Sequence, residues 1–380
     1  MEHSLDSGFR RNDDEIESGV ASIFNLPSSD LRSNIMSEIG FGIIGCGNIS
    51  TIHAKAIQAI PEARLRAFHS HSQPKAEKMA QQYGVESESN IDRLLERLDI
   101  QVVSICTPSG THAELGIKAA AAGKHVVVEK PIDVTLEKAR MLIDACQRAR
   151  VKLAVIFQSR FLPAVQILKS AIDRNRLGRI LVGDAYVKWY RTREYYEAAR
   201  WRGTRALDGG GALINQSIHT IDLLQHFVGP VASVFGFAEK KLHPYIESED
   251  TAVAVVKFKN GALGVIEGAT SISPGFSRRV EIHGEKGSVI LDGNDLAAWN
   301  LADTGEEEEA LSRLKERDLS NGASDPMALD TSGHRRQMED LIAAIRQDRP
   351  PMIDGTEGLK ALELVLAIYR SAREKTLVEL

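Results

Sequence analysis

The chain changes its pattern of hydrophobic and polar positions near residue 157. Before that point, from Ile39 onward, short apolar runs alternate with helical stretches. The runs lie at residues 41–45, 65–68, 102–106 and 126–128. Strands that alternate with helices predict right-handed crossovers and a parallel sheet that is covered on both faces. We therefore expect a doubly wound α/β domain over residues 37–157.

After residue 157 the pattern is typical of an antiparallel sheet. Apolar runs are separated by short turns such as Asn260-Gly261. The runs lie at residues 180–189, 231–239, 251–258, 262–269, 279–284 and 288–291. Two amphipathic helices follow from about His334. This pattern predicts an α+β domain over residues 158–380, with an open, mostly antiparallel sheet that is backed by helices.

Two segments fit neither pattern. Residues 1–36 are polar and show no sustained period, so we interpret them as a disordered leader or an upstream extension. Met36 precedes the first clear strand, and our hypothesis is that it is the natural start, which N-terminal sequencing of the protein from its own cell would test. Residues 295–333 are loop-like, and we interpret their acidic run, Glu306 to Glu309, as part of a solvated surface insertion.

The charge of the chain disfavours two classes of partner. The formal net charge is -5 with acids and bases interspersed, so the protein lacks the positive field that attracts nucleic acid or anionic membrane. No apolar run approaches the roughly 20 residues that span a bilayer, and the N-terminus lacks the apolar core of a secretory signal. We expect a cytoplasmic protein whose cysteines, Cys46, Cys106 and Cys146, are reduced packing residues.

A glycine turn follows the first predicted strand and opens a helix. It contains Gly45, Gly47, Asn48 and Ile49, while Ser50 replaces the third glycine of the usual dinucleotide pattern. Glycines let the backbone approach a pyrophosphate, which the free amides at the helix start can bind. The spacing alone is a weak signal that an ordinary turn could produce, but the position at the head of an α/β domain favours dinucleotide binding.

The end of the second predicted strand bears on the choice of cofactor. An enzyme that prefers NAD usually has a carboxylate there for the ribose 2'-hydroxyl. The stretch from Phe68 to Ser72 contains no acid, and its Ser70 and His71 would tolerate a 2'-phosphate. We therefore predict NAD(P) as the cofactor, with NADP favoured weakly over NAD.

Polar residues follow the next two strands of the predicted parallel sheet. Thr107, Pro108 and His112 follow one strand, and Glu129 and Lys130 end the other. Ligands bind at the carboxyl ends of such strands, so all of these are candidate cofactor-binding residues. Successive side chains of a strand point to opposite faces, so one of Glu129 and Lys130 can face the cleft. The alternative is that both are charged residues in solvent at the end of a strand. Lys130 could serve as a base if burial beside a cationic nicotinamide lowered its pKa from about 10.4.

Two segments of the second domain carry candidate substrate-binding residues. Asn215, His219 and Asp222 recur at helical spacing on one face, which indicates either a ligand site or a polar network in the core. Residues 188–205 interleave bases with aromatic side chains, including Tyr190 and Arg193. That segment could cover an anionic or polyhydroxylated small molecule, because arginine binds carboxylate or phosphate in a bidentate way. The alternative is an amphipathic edge of the sheet.

With these motifs in view, the chain resembles the glucose-fructose oxidoreductase, inositol dehydrogenase and rhizopine catabolism protein (Gfo/Idh/MocA) family. The resemblance covers almost everything after Met36. It is carried by the glycine turn and by "TPSGTH" at 107–112, "GKHVVVEKP" at 123–131, "FQSRFLP" at 157–163, "WRG" at 201–203, "GGGALINQSIHTID" at 209–222, "EDTAVAVVKFKNGALGVIEG" at 249–268 and "EIHGEKGSVIL" at 281–291. It implies a Rossmann domain, an open sheet that often forms an oligomer interface, and hydride transfer between a nicotinamide and a sugar or cyclitol.

The resemblance also implies roles for individual residues. Lys130 matches the family's active-site acid or base, with a cis bond before Pro131, and His219 matches the histidine at the substrate hydroxyl. Asn215 stands where many members carry an aspartate, which leaves open whether Lys130 or His219 takes the proton. Three residues match positions near the nicotinamide half of the cofactor, namely Gln158, Trp201 and Arg202.

The sequence thus predicts an NAD(P)-dependent oxidoreductase that acts on a secondary alcohol or carbonyl of a sugar, sugar derivative or cyclitol. Lys130 and His219 are its catalytic candidates, and Asn215, Tyr190, Arg193 and Asp222 are its substrate-binding candidates. One alternative is a nucleotide-sugar (uronate) 3-dehydrogenase with tightly held NAD, and another is a non-catalytic NAD(P)-binding regulator. We predict no metal site, no nucleic-acid or membrane partner, and a homo-dimer or homo-tetramer.

Overall fold

The computed structural model describes residues 38–312 and 331–380. The proposed leader and the hypothesis about Met36 therefore lie outside the described residues, as does the part of the predicted insertion at 313–330. In the ranges that the structure describes, no helix is long and apolar enough to cross a membrane.

The first sheet is parallel throughout, as the alternation of strands and helices predicts. It has six strands in the order β3-β2-β1-β4-β5-β6, and each neighbouring pair is parallel. The strands are β1 Ile39–Ile44, β2 Ala63–His69, β3 Glu86–Glu88, β4 Val102–Ile105, β5 His125–Val128 and β6 Leu153–Val155. The order reverses between β1 and β4, and this is the point at which an open α/β sheet binds its ligand.

Helices connect these strands and cover both faces of the sheet. They are α1 Asn48–Gln58, α2 Gln73–Tyr83, α3 Ile91–Glu96, α4 His112–Ala121 and α5 Leu136–Ala149. Local sequence explains their ends. The hydroxyl of Thr135 accepts from the amide of Lys138 at the start of α5, and Gly84 ends α2 in the left-handed conformation that glycine adopts without strain.

The second sheet is mostly antiparallel, again as predicted. Its eight strands run in the order β13-β12-β11-β7-β10-β9-β8-β14, and β7 with β10 is its one parallel pair among the described residues. The strands are β7 Ile180–Lys188, β8 Val231–Glu239, β9 Thr251–Phe258, β10 Leu263–Ala269, β11 Arg279–Gly284, β12 Gly287–Asp292, β13 Asp295–Leu301 and β14 Val378–Glu379. The side chains of β9 alternate between buried and exposed, so one face of the sheet is covered and the other is open.

The helices of the second half cover the inner face of this sheet and also return to the first one. They are α6 Pro163–Asp173, α7 Arg193–Glu197, α8 Ile218–Val228, α9 Ser332–Arg346 and α10 Gly355–Glu374. Gln337 of α9 accepts from the amide of Phe157 at 3.1 Å and donates to the carbonyl of Val155 at 2.7 Å. Buried side chains form one core that continues from the first sheet into the second.

The interpretation of residues 295–333 as a loop-like, solvated insertion is wrong in part over the residues that the structure describes, although Glu306 and Glu309 are exposed. Residues 295–301 form the edge strand β13, and residues 306–312 are helical. Glu307 is buried, because Arg176 donates to its carboxylate at 2.6 Å and Ser170 donates to it at 3.2 Å. An arginine partner that lies 131 residues away in the sequence cannot be recognised from an acidic run.

Candidate active site

The glycine turn lies at the switch point of the parallel sheet. The amide of Gly45 donates to the carbonyl of His69 at 2.9 Å, so the turn adjoins the end of β2. Gly45 has φ +106, and a Cβ there would meet the carbonyl oxygen of Cys106 at 2.5 Å. Gly47 has open space where a side chain would be. It precedes α1, which begins at Asn48 and Ile49 without a side-chain cap. This is a cradle that fits a dinucleotide pyrophosphate, since it offers free amides at a positive helix end.

The end of β2 carries the two residues predicted near the adenosine ribose. His69 uses Nδ1 to contact the carbonyl of Glu88 at 2.9 Å. Ser70 and His71 follow it, and the hydroxyl of Ser70 accepts from the amide of Ser72 at 3.2 Å. A lysine that the sequence reasoning did not single out lies close to this region. The ammonium of Lys75 partly offsets the burial that raises the pKa of the Cys46 thiol to about 11.

His112 links the two loops that follow β4 and β5. Its Nδ1 lies 2.8 Å from the carbonyl oxygen of Pro131, and its Nε2 lies 2.9 Å from that of Thr107. Burial lowers the pKa of this imidazole. The peptide bond between Lys130 and Pro131 is cis, as expected from the resemblance. These two contacts fix the position of the loops that carry Thr107, Pro108 and Lys130. The cofactor-binding role of His112 stays a prediction.

Lys130 extends across the cleft to the second domain. Its Nζ donates to the main-chain carbonyl of Asn215 at 2.6 Å. The pKa of Lys130 is lowered, first by burial and further by the positive charge of Arg191, while Glu129 and Asp208 oppose the shift. A lysine with a lowered pKa can lose its proton more readily than one in water, which is the property that a general base requires.

Glu129 lies within the core rather than in the cleft. Its carboxylate contacts Nε2 of His53 at 2.8 Å and Nε2 of His334 at 3.7 Å. Burial favours a higher pKa for Glu129, but the contacts from His334 and His53 hold its pKa well below the usual range. The ligand atoms of these residues lie within 4.8 Å of one another, so the group could bind a metal ion. The hydrogen bond between His53 and Glu129 already pairs two of the three side chains.

A π-helical turn places Asn215 and His219. Residues Ala212–Ser217 form this turn, and α8 continues from it. The carbonyl of Asn215, within this turn, accepts from Lys130. The Nδ1 of His219 is buried and has no hydrogen-bond partner among the described residues. Burial, together with the charge of Lys130, holds the pKa of His219 well below its usual value. The imidazole is therefore neutral and has a ring nitrogen that is available to a ligand.

Asp222 does not share the cleft with Asn215 and His219. Arg160 donates to its two oxygens at 2.6 and 2.8 Å, and both side chains are buried. The prediction that Asp222 binds substrate is wrong for this geometry, because both of its carboxylate oxygens are already paired with a buried guanidinium. Arg160, which lies in the "FQSRFLP" motif, satisfies the carboxylate instead.

In the basic and aromatic segment at 188–205, Arg191 points inward, whereas Arg193 was the arginine predicted to contact the substrate. Arg193 is largely exposed and pairs with Glu197 at 2.6 Å. Tyr190 is exposed too, and its main chain bridges to Ser271. The roles predicted for Tyr190 and Arg193 at the substrate stay predictions, and these contacts do not support them. Arg191 donates from Nη2 to Gln216 at 2.6 Å.

Arg191 is held between aromatic rings and has a free donor. Its guanidinium carbon lies 4.9 Å from the ring centroid of Trp189 and 5.3 Å from that of Tyr195. Its Nε is buried and lacks a hydrogen-bond partner among the described residues. The alternation of side chains beyond β7, which groups Trp189 with Arg191 rather than with Tyr190, was the signal that could have identified it.

Two of the three residues predicted near the nicotinamide, Gln158 and Arg202, carry further unpaired polar atoms. Oε1 of Gln158 and Nε of Arg202 are buried without partners among the described residues. Arg202 donates from Nη1 to the carbonyl of Tyr195 at 2.6 Å and lies over its ring at 4.1 Å. Trp201 accepts at its carbonyl from Thr204 at 2.6 Å. Unpaired buried polar atoms in a cleft are the groups that a ligand would satisfy.

Asp208 is a buried acid that the sequence reasoning missed. Its Oδ2 accepts from the amide of Gly203 at 2.7 Å, and its Oδ1 accepts from the side-chain amide of Asn215. Burial raises its pKa to about 6, against the opposing effects of these two bonds and of Lys130. The available signal was an acid that directly precedes the glycine turn at 209–211.

A glycine turn that fits a pyrophosphate, a lysine with a lowered pKa and a neutral histidine fit a nicotinamide-dependent dehydrogenase that acts on CH–OH groups. The chain belongs to the Gfo/Idh/MocA oxidoreductase family, and the resemblance is confirmed. Residues 39–157 match the family's NAD-binding Rossmann fold, and residues 169–380 match its C-terminal alpha/beta domain.

Individual relatives carry related names. The inositol 2-dehydrogenase of Rhizobium meliloti is 30% identical over 346 residues, which cover 89% of this chain and 98% of that protein. The scyllo-inositol 2-dehydrogenase (NAD(+)) of Bacillus subtilis is 29% identical over 67% of this chain and 74% of its own length. The crystal structure of the WlbA dehydrogenase from Bordetella pertussis in complex with NADH and UDP-GlcNAcA is 35% identical, with a TM-score of 0.84 over 90% of this chain and 98% of that one. These relatives and the family match support NAD(H) as the cofactor.

Proposed function

We propose that the protein is a dehydrogenase of an anionic sugar, a hexuronic acid carried on a nucleoside diphosphate. The reaction converts a secondary ring hydroxyl to a ketone, with the cofactor held in the glycine-turn cleft. The observation that carries this proposal is Arg191, whose guanidinium is close enough to Lys130 to lower the pKa of that lysine. A positive charge beside the proposed base costs free energy while the cleft is empty. The same charge stabilises a bound anion.

Lys130 is the proposed proton acceptor. A neutral amine at Nζ would take the proton of the substrate hydroxyl as the ketone forms, and the ammonium would return it in the reverse direction. The chemistry that the cofactor supplies when bound is acceptance of a hydride from the carbinol carbon. The carbonyl of Asn215 holds Nζ at 2.6 Å, which fixes the direction of the lysine side chain before substrate binds.

His219 is proposed to orient the same hydroxyl. Its neutral imidazole can donate or accept one hydrogen bond at the unpartnered Nδ1 without adding a second positive charge beside Lys130. This assignment answers the question that the sequence left open, because an imidazole whose pKa lies so low is a poor acceptor for a full proton.

Arg191 is proposed to bind the carboxylate of the sugar. Trp189 and Tyr195 hold the guanidinium. Its Nη2 donates to Gln216 and its Nη1 to the carbonyl of Tyr190, so Nε is the donor available to a carboxylate oxygen. The similar WlbA dehydrogenase was solved with UDP-GlcNAcA, a nucleotide sugar that contains a uronic acid. We extend that substrate class to this chain as part of the proposal.

A neutral sugar or cyclitol is the second candidate substrate class. The inositol dehydrogenases among the relatives favour it. Such a substrate would use Lys130 and His219 in the same way but would leave the charge of Arg191 without a partner.

The decisive experiment loads the protein with NADH and follows cofactor fluorescence while ketone substrates are added. We expect loss of fluorescence with a 3-keto nucleotide-linked uronate and a much weaker response to neutral keto sugars. Arg191→Ala should raise KM for the uronate at least tenfold, whereas the outward-facing Arg193→Ala should leave it unchanged. A preference for neutral keto sugars would favour the second candidate class, and tight NADH binding with no response to any ketone would favour a non-catalytic regulator.

A preference for NADP over NAD stays a prediction. It is supported by the polar strand end at Ser70 and His71 and by the ammonium of Lys75 near the glycine turn. Fluorescence titration with NADPH and NADH would test it, with Lys75→Ala expected to weaken NADPH binding selectively. Equal or tighter binding of NADH would overturn it.

Oligomerisation through the open face of the second sheet is part of the proposal as well. Phe237, Val253, Val255 and Leu263 are all at least 42% exposed. Apolar side chains in such numbers on one face are typical of an interface. We propose a homo-dimer or homo-tetramer that buries this face, and light scattering should show a smaller species for Val255→Lys.

A further inference from the structure

We infer that Asp208 supplies a negative charge next to the neutral side chain of Asn215. Through the Asn215 carboxamide it positions Lys130 and favours the protonated form of that lysine. The inference rests on the proposed role of Lys130 as the proton acceptor. Asp208 is a positioning residue in this account, because its contacts reach the lysine through Asn215.

The hydrogen bonds define one orientation for the carboxamide. The side-chain nitrogen of Asn215 donates to Asp208. An ionised carboxylate has no proton to donate, so the nitrogen and not the oxygen of the carboxamide must face it. The side-chain oxygen of Asn215 accepts from Nε2 of Gln216 at 2.7 Å. Since both ends of the carboxamide are engaged, the residue is held rigidly, and its main-chain carbonyl is held where Lys130 meets it.

Asp208 occupies a buried position in which a carboxylate is costly. Its side chain is 2% exposed, and a buried charge is retained only where partners compensate for its desolvation. The amide of Gly203 and the side chain of Asn215 provide two hydrogen bonds. The charged side chains that face it are Lys130 and Arg202, and the phenol of Tyr196 is also close enough to be affected by it.

The charge of Asp208 acts on Lys130 with a definite sign. An ionised acid near an ammonium favours the protonated lysine and raises its pKa, which opposes the lowering caused by burial. Glu129 raises the pKa of Lys130 in the same direction as Asp208, and Arg191 opposes both acids. A bound anionic substrate would neutralise Arg191 and leave these two acids to favour the return of the proton to Lys130.

A purely structural role is the competing explanation. Through Gly203, Asp208 also anchors the turn that carries Trp201 and Arg202. If that were its whole purpose, its removal would loosen the turn and weaken cofactor binding without changing the titration of Lys130.

The test measures the titration of Lys130 directly, so it needs no substrate. The holoprotein is treated with a trace of acetic anhydride over a range of pH, and acetylation of Lys130 is quantified by peptide mass spectrometry. We expect half-maximal reactivity to move to lower pH by about one unit in Asp208→Asn. The double variant Asp208→Asn with Asn215→Asp, which places the acid at position 215, should restore the original titration.

Other outcomes are informative in the opposite direction. An unchanged titration in a folded Asp208→Asn protein would overturn the inference, as would a shift that the double variant does not reverse. If Asp208→Asn fails to fold, Asn215→Ala provides the test, because loss of the side-chain bond makes the buried carboxylate of Asp208 less stable and should move the titration of Lys130 to lower pH; an unchanged titration there would also overturn the inference. Absence of sugar turnover with the expected shift intact would contradict the proposed function and leave the coupling of Asp208 to Lys130 standing.

Discussion

Arg160 binds Asp222 through two parallel hydrogen bonds, from Nη2 to Oδ1 at 2.6 Å and from Nε to Oδ2 at 2.8 Å. Both side chains are almost wholly buried. The pair joins the short helical turn after β6 to α8, the helix that continues from the π-turn at Asn215. A bidentate contact of this kind is strong and geometrically specific. It gives Asp222 a structural role close to the site without access to it.

Loss of Asp222 should therefore affect stability rather than substrate binding. We expect Asp222→Ala to lower the free energy of unfolding by about 3–5 kcal/mol, because it leaves the guanidinium of Arg160 buried without its main partner. Urea denaturation followed by circular dichroism measures this. Glu357→Gln is the matched control, since Glu357 makes a single bond to Arg160 and is 33% exposed; its cost should stay under about 1 kcal/mol. Normal stability with a raised KM in Asp222→Ala would restore the original assignment to the substrate.

The sequence predicted the elements whose information is local. Three valines before Glu129 indicate a buried strand, and a glycine turn between a strand and a helix indicates the phosphate cradle, because both signals lie within a few residues. The family resemblance added the cis bond before Pro131. The errors concern features that depend on tertiary structure.

The π-turn at Ala212–Ser217 is one such feature. It has no marker in a helical hydrophobic pattern. Asp222 left the predicted set because its buried partner, Arg160, lies 62 residues away in the sequence. The inward turn of Arg191 rather than Arg193 depends on the register of the chain beyond β7. Asp208 was missed because its partners, Gly203 and Asn215, meet it only in the folded chain.

Replacement of the proposed base should remove turnover and spare cofactor binding. Lys130→Met keeps the length of the side chain but cannot accept a proton, and general base catalysis is typically worth about 10²–10⁴-fold in rate. We expect kcat to fall by about 10²-fold or more. Fluorescence titration with NADH should give an unchanged Kd. Lys138→Met, an exposed lysine on α5, is the control. Retained turnover in Lys130→Met would exclude the role assigned to Lys130.

The pH dependence of alcohol oxidation should reflect the lowered pKa of Lys130. The neutral amine is the active form, so kcat/KM rises with pH and levels off once Lys130 has lost its proton. Because burial and Arg191 lower this pKa, the midpoint should fall below the ordinary lysine value of about 10.4. Arg191→Ala should move the midpoint upward, since it removes a positive charge. A midpoint in Arg191→Ala that moves downward would contradict the electrostatic account.

The two glycines of the cradle should fail in different ways when replaced by alanine. Gly45 has φ +106 and no room beside the carbonyl of Cys106, so Gly45→Ala should destabilise the fold itself. Gly47 has extended backbone and open space, so Gly47→Ala should fold normally and lose affinity only for the pyrophosphate that fits that space.

Gly84→Ala is the matched control, with a positive φ but open surroundings far from the cleft. We expect it to lower the free energy of unfolding by about 1 kcal/mol and to leave cofactor binding unchanged. Thermal unfolding with and without NADH separates these outcomes, since ligand raises Tm only where it binds. A normal NADH-dependent rise of Tm in Gly47→Ala would place the pyrophosphate elsewhere than on this turn.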